Sequence, residues 1–349
     1  MDNAARALVQ AHLSQSPNGA LGLVIDFLKS LFHEEKPERV IDLAIQFYFS
    51  SGPPLSGDLR SGLLRTISDE AEKVYAPASP LLKRVRATRH LAPADQLRNV
   101  ASYYLELTKP LIPIVNSFAK TIPKFTALEG RQFSPHLLLR DGLIFYPSLV
   151  AQEIHPVLVA YSRKHLNAQA NPEIVGSSLG QSALLIDVGL YGSLVSALLE
   201  QEIFHSPGVL FFASRSPFIL GWLNTIIGTA LVSGRATTNL IDVIRIADTM
   251  ESLLKPLAFT RDSGGVTTTL SDPISFVSSI LFLWNLHKDA LQKRLVSDPL
   301  LAVRSLSEGN CPRWFVKKAL PRWKEADRFI ASWPHGLLFP MDRFSGFRL

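Results

Sequence analysis

Four short, unbroken apolar runs, each ending in small or charged residues, constrain this chain more than any other feature. The first is His136 to Leu139, which ends in Arg140-Asp141-Gly142 and leads into LIFYPSLVAQEI. The second, PVLVAY at 156–161, ends in Ser162-Arg163-Lys164. The third, Ala183 to Ile186, ends in Asp187-Val188-Gly189 and leads into GSLVSALLEQEI, and the fourth is GVLFFA at 208–213, ending in Ser214-Arg215-Ser216. A strand covered on both faces has no polar side to present. Apolar runs alternating with helical patterns therefore imply a parallel sheet flanked by helices, the α/β class. The spacing predicts parallel, adjacent strands near 136–140, 156–161, 183–187 and 208–213, within an α/β ligand-binding domain over about 131–300. Ligands bind outside the carboxyl ends of such strands, so the four endings are expected to share one cleft.

Residues 1–130 read as an N-terminal helical cap. Apolar residues recur at helical spacing over 20–31 and 39–49, SGPPLSGD (51–58) is a loop, and Pro77, Pro80, Pro93, Pro110, Pro113 and Pro123 divide the remainder of the cap into short pieces. After Arg235 the pattern is a helix through Leu254, a turn at RDSGG (261–265) between two strands, and a helix over 273–287. Residues 301–349 form a basic, aromatic C-terminal segment. Ser216 to Gly234 is uncharged for 19 residues, near the length of a membrane span. Its Asn224, Thr225, Thr229, Gly221 and Gly228 favour a buried core helix instead. A 47% hydrophobic, 19% charged chain of 349 residues suits a folded protein of about two units. The lone Cys311 excludes a disulfide scaffold and suits a reducing compartment. The opening MDNAARALVQ lacks a basic start followed by an apolar run, so no secretory signal is expected and the protein reads as soluble and cytoplasmic.

The best-specified chemistry lies in LLIDVGLYGSLVSALLE (184–200): a buried strand, one acid, then a glycine-containing loop that opens a helix. Gly189 and Gly192 allow a ligand to approach the backbone, Ser193 is a good cap, and the free N–H groups of a helix start attract an anion. Asp187 at the strand end could accept ribose hydroxyls or help hold Mg²⁺. An ordinary strand-to-helix turn with Asp187 bonding loop amides is the plain alternative. Arg140 is placed to clamp a second phosphate, or to pair with Asp141 at a turn. Ser162, Arg163 and Lys164 offer a hydroxyl and two cations at the same edge, or a solvated pair.

Taken in order, these elements resemble the type I phosphoribosyltransferase family over about 80 residues, near 136–215. The resemblance implies a transferase binding a phosphorylated small molecule. Arg140, Asp141 and Gly142 would lie at the pyrophosphate, Arg163 and Lys164 at the next strand end, and Asp187 at the ribose, with Gly189, Tyr191, Gly192 and Ser193 cradling the 5-phosphate. A single acid stands where the family carries an adjacent pair, and the loop lacks the Thr-Gly-Gly-Thr core. The missing acid keeps open a non-catalytic nucleotide sensor. The RDG, S-R and D-x-G-x-x-G-S endings are also similar to uncharacterised domains accompanying some bacterial glycosyltransferases, which implies no known reaction.

Two further signals point toward RNA. The stretch 311–333 interleaves Trp314, Trp323 and Trp333 with cations, and Lys83, Arg84, Arg86, Arg89 and Arg98 stand against only Asp95 nearby in sequence. With a pI near 9.4 this allows a tRNA partner, although tryptophans of this spacing also dock a terminal helix. Ser214 and Ser216-Pro217, after a buried strand, are similar to the nucleophilic serine region of cyclodipeptide synthases, which would imply aminoacyl-tRNA-dependent acyl transfer. Gly176-Ser177-Ser178-Leu179-Gly180 matches G-x-S-x-G by letter but precedes a strand instead of following one, so Ser178 is not read as a nucleophile. The scattered histidines lack metal-binding spacing, so no metal site is expected beyond that Mg²⁺.

Overall fold

The computed structural model describes residues 19–51, 71–72, 77–128, 131–139, 141–167, 171–176, 182–188, 193–204, 208–211, 227–229, 257–262, 265–270 and 273–292. Among the described residues five α-helices precede the sheet: α1 (Gly19–Leu31), α2 (Pro37–Ser51), α3 (Pro80–Ala87), α4 (Pro93–Thr108) and α5 (Ile112–Thr121). Their apolar residues fall at helical spacing, so that Val40, Ile41, Ala44 and Phe47 bury one stripe of α2. Three of the prolines open helices, while Pro110 and Pro123 lie in 3-10 turns of three and four residues, so the pieces are short apart from α4. Pro80, Pro93 and Pro113 occupy first-turn positions, where an N–H would be unsatisfied anyway, and α4 then runs uninterrupted for 16 residues.

A mixed sheet comes next, placing the chain in the α/β class. Its strands are β1 (Ala127–Leu128), β2 (Arg131–Leu139), β3 (Val157–Ala160), β4 (Glu173–Val175), β5 (Ser182–Asp187), β6 (Gly208–Phe211) and β7 (Ile227–Thr229), with a spatial order of β4-β3-β2-β5-β6-β7. The four expected strands are adjacent and parallel, with Leu137 level with Leu158 on one side and Ile186 on the other. The sheet as a whole is not parallel: β4 runs antiparallel to β3, and β1 antiparallel to β2. Between β3 and β4 the described helix is α7 (Arg163–Asn167), five residues long. It rises about 7.5 Å, less than the roughly 13 Å length of β3, and so turns the chain without carrying it back. Pro135 lies where β2 pairs with β5 but not yet with β3, a position where a missing N–H is tolerated.

The segment 216–234 also departs from expectation. Its described residues, Ile227 to Thr229, form a strand beside β6 and not a helix. The β-branched Ile227 and Thr229 suit that pairing, while the rest of the segment lies outside the described residues. The expected turn near 261–265 joins β8 (Leu257–Asp262) and β9 (Gly265–Leu270), and the final described helix, α9 (Pro273–Gln292), continues five residues past its expected end at His287.

Strand alternation separates two cores. Leu137, Leu139, Leu158, Ala160, Leu184 and Ile186 join the large core with α1 to α5, α6 (Tyr146–Val150) and α9. Leu138, Val159, Tyr161, Ala183 and Leu185 pack on the opposite face with Val195, Ala197 and Leu198 of α8 (Ser193–Glu200). Apolar nearly all round, α9 is the axis of the large core and touches α2, α4, α5 and α6. A buried polar network crosses that core. Asn116 Nδ2 donates to the Leu286 carbonyl (3.1 Å) and to Asp289 Oδ2 (2.8 Å), and its Oδ1 accepts from the Ser148 hydroxyl. Nearby, the His287 ring stacks on Phe32 at 4.1 Å and its Nδ1 meets the Pro147 carbonyl at 3.0 Å.

Candidate functional site

The order of the parallel strands reverses between β2 and β5. From β2 the chain moves outward to β3, then returns to the other side of β2 and continues outward through β5, β6 and β7. The connections follow suit: α6, after β2, packs on the large-core face, and α8, after β5, packs on the other. Segments leaving adjacent strands toward opposite faces open a crevice between them.

The first segment at this crevice is the 3-10 turn Asp141–Phe145, whose residues 142–145 are buried. A Cβ on Gly142 would lie 3.1 Å from the Ile186 carbonyl oxygen and 3.4 Å from the Leu137 carbonyl carbon. A side chain here would have to push backbone aside by a few tenths of an ångström, so glycine suits the close approach that seats the turn after β2 against the end of β5. Asp187, the last residue of β5, is 8% exposed, and Asp141 is half-buried at the start of the turn. The structure thus brings Asp141, Gly142 and Asp187 to the two strands flanking the reversal. Since Leu137 pairs with Ile186, Asp187 is level with Leu138 and Val159, and the three sites span roughly 10 Å across strands about 4.8 Å apart.

One strand further out, Ser162 precedes α7 and its first helical hydrogen bond, Leu166 N–H to the Ser162 carbonyl (3.0 Å). The Ser162 side chain is committed to the helix start. Its Oγ lies 2.7 Å from His165 Nδ1, and its backbone N–H donates to the same nitrogen at 3.2 Å. The third helical residue reaching back to the N-cap N–H is the capping-box arrangement, with histidine in place of glutamate. His165 is absent from the residues that the sequence motifs single out, though S-x-x-H at a helix start carries the spacing. Arg163 and Lys164 form the first two positions of α7, and Ser193 the first of α8. Arg140, Gly189, Tyr191, Gly192, Ser214 and Ser216 lie outside the described residues, as do Cys311 and the basic tail.

Among the described residues, no three His, Cys, Asp or Glu side chains gather as a metal-binding group. Asp141 and Asp187 are compatible with the one or two carboxylates through which Mg²⁺ accompanies a bound phosphate. A cavity of about 360 Å³ lies elsewhere, lined by Glu35, Trp284, Asn285, Lys288, Asp289 and Gln292, and includes none of the strand-end residues. The basic stretch is partly neutralised by acids both distant and near in sequence. Arg86 and Arg89 meet Glu72, Arg98 meets Asp42 and Asp95, and Arg84 bonds Asn99. No described helix is long and apolar enough to cross a membrane. No protein-family model matches the chain, and neither curated proteins nor solved structures yield a match.

Proposed function

We propose that the chain binds a phosphorylated small molecule of the phosphoribosyl type at the carboxyl ends of β2, β3 and β5 and acts on it as a transferase. The observation that carries this reading is the reversal of strand order between β2 and β5, with Gly142 packed against the Ile186 carbonyl and Asp141 and Asp187 at the same edge. In this reading Asp187 orients the ribose, and residues Gly189, Tyr191, Gly192 and Ser193 hold its 5-phosphate. Arg140 and Lys164 neutralise departing pyrophosphate, with Arg163 beside them and Mg²⁺ entering with the donor. The parallel strands β3-β2-β5-β6-β7 are the functional layer, and residues 1–130 are its helical cap. Cys311 as sole cysteine fits a reducing, cytoplasmic setting.

Calorimetric titration of the full chain with phosphoribosyl pyrophosphate and Mg²⁺, against ribose alone, tests the reading. Saturable binding is expected only for the phosphorylated compound, with a shallow salt dependence. Asp187→Asn should abolish pyrophosphate release with little change in thermal midpoint. Absence of saturable binding by the parent protein refutes the proposal, and tight tRNA binding with a steep salt slope would assign the cations to RNA.

A further inference from the structure

The cavity of about 360 Å³ beside the last turns of α9 shares no residue with the strand-end site, and its volume falls within the range of small-molecule sites, about 300–1,000 Å³. Two rows of α9 face it: Trp284, Lys288 and Gln292 at a spacing of four, and Asn285 with Asp289 beside them. Asp289 is 7% exposed, and a carboxylate so far removed from water needs partners for both oxygens. Its Oδ2 accepts from the Asn116 amide at 2.8 Å, while among the described residues no donor meets Oδ1. Lys288 does not neutralise it, because successive residues of a helix do not face each other. The Lys288 ammonium lies instead over the Trp284 ring, 5.9 Å from its centroid, and pairs with no carboxylate among the described residues. One cavity thus holds an anion and a cation that do not satisfy each other.

The loop between α1 and α2 adds a second anion at a set distance. Trp284 Nε1 donates to the Glu34 carbonyl at 3.0 Å, which holds the exposed Glu35 near the level of Trp284. Asp289 lies further along α9 by five residues, about 7.5 Å on the helix axis. We propose that this cavity binds a free dibasic amino acid of the lysine type, with its α-ammonium on Asp289 Oδ1, its α-carboxylate on Lys288 Nζ and its side-chain ammonium on Glu35. The two ammonium nitrogens of extended lysine are six bonds apart, and bonds of about 1.5 Å at about 111° carry them roughly 7.5 Å. Three charges of the ligand therefore meet three of the cavity, each of opposite sign. Gln292 follows Lys288 by one turn, and its amide adds a donor for the same α-carboxylate.

The test is calorimetric titration of the full chain with L-lysine, cadaverine and L-norleucine. Cadaverine keeps both amines at the same spacing without the carboxylate, and norleucine keeps the α-groups without the side-chain amine. L-lysine should bind saturably and the other two more weakly. Norleucine should lose about fivefold, the worth of an exposed ion pair, and Glu35→Gln should cost lysine the same factor and norleucine nothing. Lys288→Met should weaken lysine and leave cadaverine unchanged. Asp289→Asn keeps an acceptor for Asn116 but removes the charge, so lysine should lose about thirtyfold or more. Should that variant fail to fold, the exposed Glu35→Gln decides alone. No saturable binding of L-lysine by the parent protein, norleucine or cadaverine binding as tightly as lysine, or an unchanged lysine affinity in Glu35→Gln overturns the assignment.

Discussion

Replacing Asn116 by alanine should destabilise the protein more than the size of the deletion suggests. The side chain is 1% exposed, and each of its polar atoms has a partner on a different helix: Ser148 on α6, and Leu286 and Asp289 on α9. Truncation takes a donor from the buried Asp289 carboxylate, a charge-assisted bond worth about 1.5–3 kcal/mol, and an acceptor from the Ser148 hydroxyl, where an orphaned buried group costs about 1–3 kcal/mol. The Leu286 carbonyl sits within a helix and can keep its backbone partner. The sum is about 2.5–6 kcal/mol, a large fraction of a typical total stability. With a denaturant slope of about 3 kcal/mol/M, the urea midpoint should fall by about 0.8 to 2 M. Circular dichroism would follow unfolding of the parent, Asn116→Ala, Ser148→Ala and the double variant. The second truncation should cost less once the first is made, with a coupling of about 1 kcal/mol or more. A loss under about 1 kcal/mol in Asn116→Ala, or strict additivity in the cycle, would show that the network does not hold α5, α6 and α9 together.

Two other outcomes rest on local geometry. Burial holds both His136 and His287 below the ordinary imidazole value of 6.5, against the raising effect of the Ser134 and Pro147 carbonyls, with the Lys288 and His33 charges further depressing His287. The unfolded chain therefore takes up protons from about 6.5 downward that the folded chain does not, and stability should fall as pH drops through that window. A variant carrying His136→Asn and His287→Asn should show a flatter thermal midpoint between pH 7.5 and 5. Glu153 has φ of 61° after α6, where Glu153 N–H bonds the Val150 carbonyl and Ile154 N–H the Leu149 carbonyl, the five-to-two and six-to-one bonds of a Schellman ending. Glu153→Gly should raise stability by about 0.5–1 kcal/mol, and an unchanged or lower midpoint would refute the strain assigned there.

The strands at 183–187 and 156–161 are readable in the sequence because burial on both faces leaves no polar alternation, which few other local structures permit. A related ambiguity hides β7: the long uncharged stretch around it has no clear period to separate helix from strand, so Ile227 to Thr229 reads as helix. β4 escapes notice because its three residues are half-exposed and carry no distinct pattern. At the site, the turn residues Asp141 and Gly142 and the strand-end Asp187 are legible from their positions after apolar runs. The pairing of Ser162 with His165 is masked, because a hydroxyl beside two cations reads first as a set of ligand donors. Partners remote in sequence leave no trace at all. Asn116 meets Asp289 across 173 positions, and Arg98 meets Asp42 across 56.

Leu137 and Leu138 are covalent neighbours that answer to different halves of the molecule, one to the α9 layer and the other to the α8 layer. The sheet is in this sense a bulkhead one residue thick. Because side chains alternate strictly, a slip of β2 by a single position would push every leucine through it, delivering His136 and Ser134 to the large compartment and stripping that compartment of Leu137 and Leu139. Both compartments would reject the exchange at once, so each strand's alignment is proofread from two sides. The turn at Gly142, packed against the Ile186 carbonyl, inherits that accuracy, since not even one register of error is tolerated by the strand that leads into it.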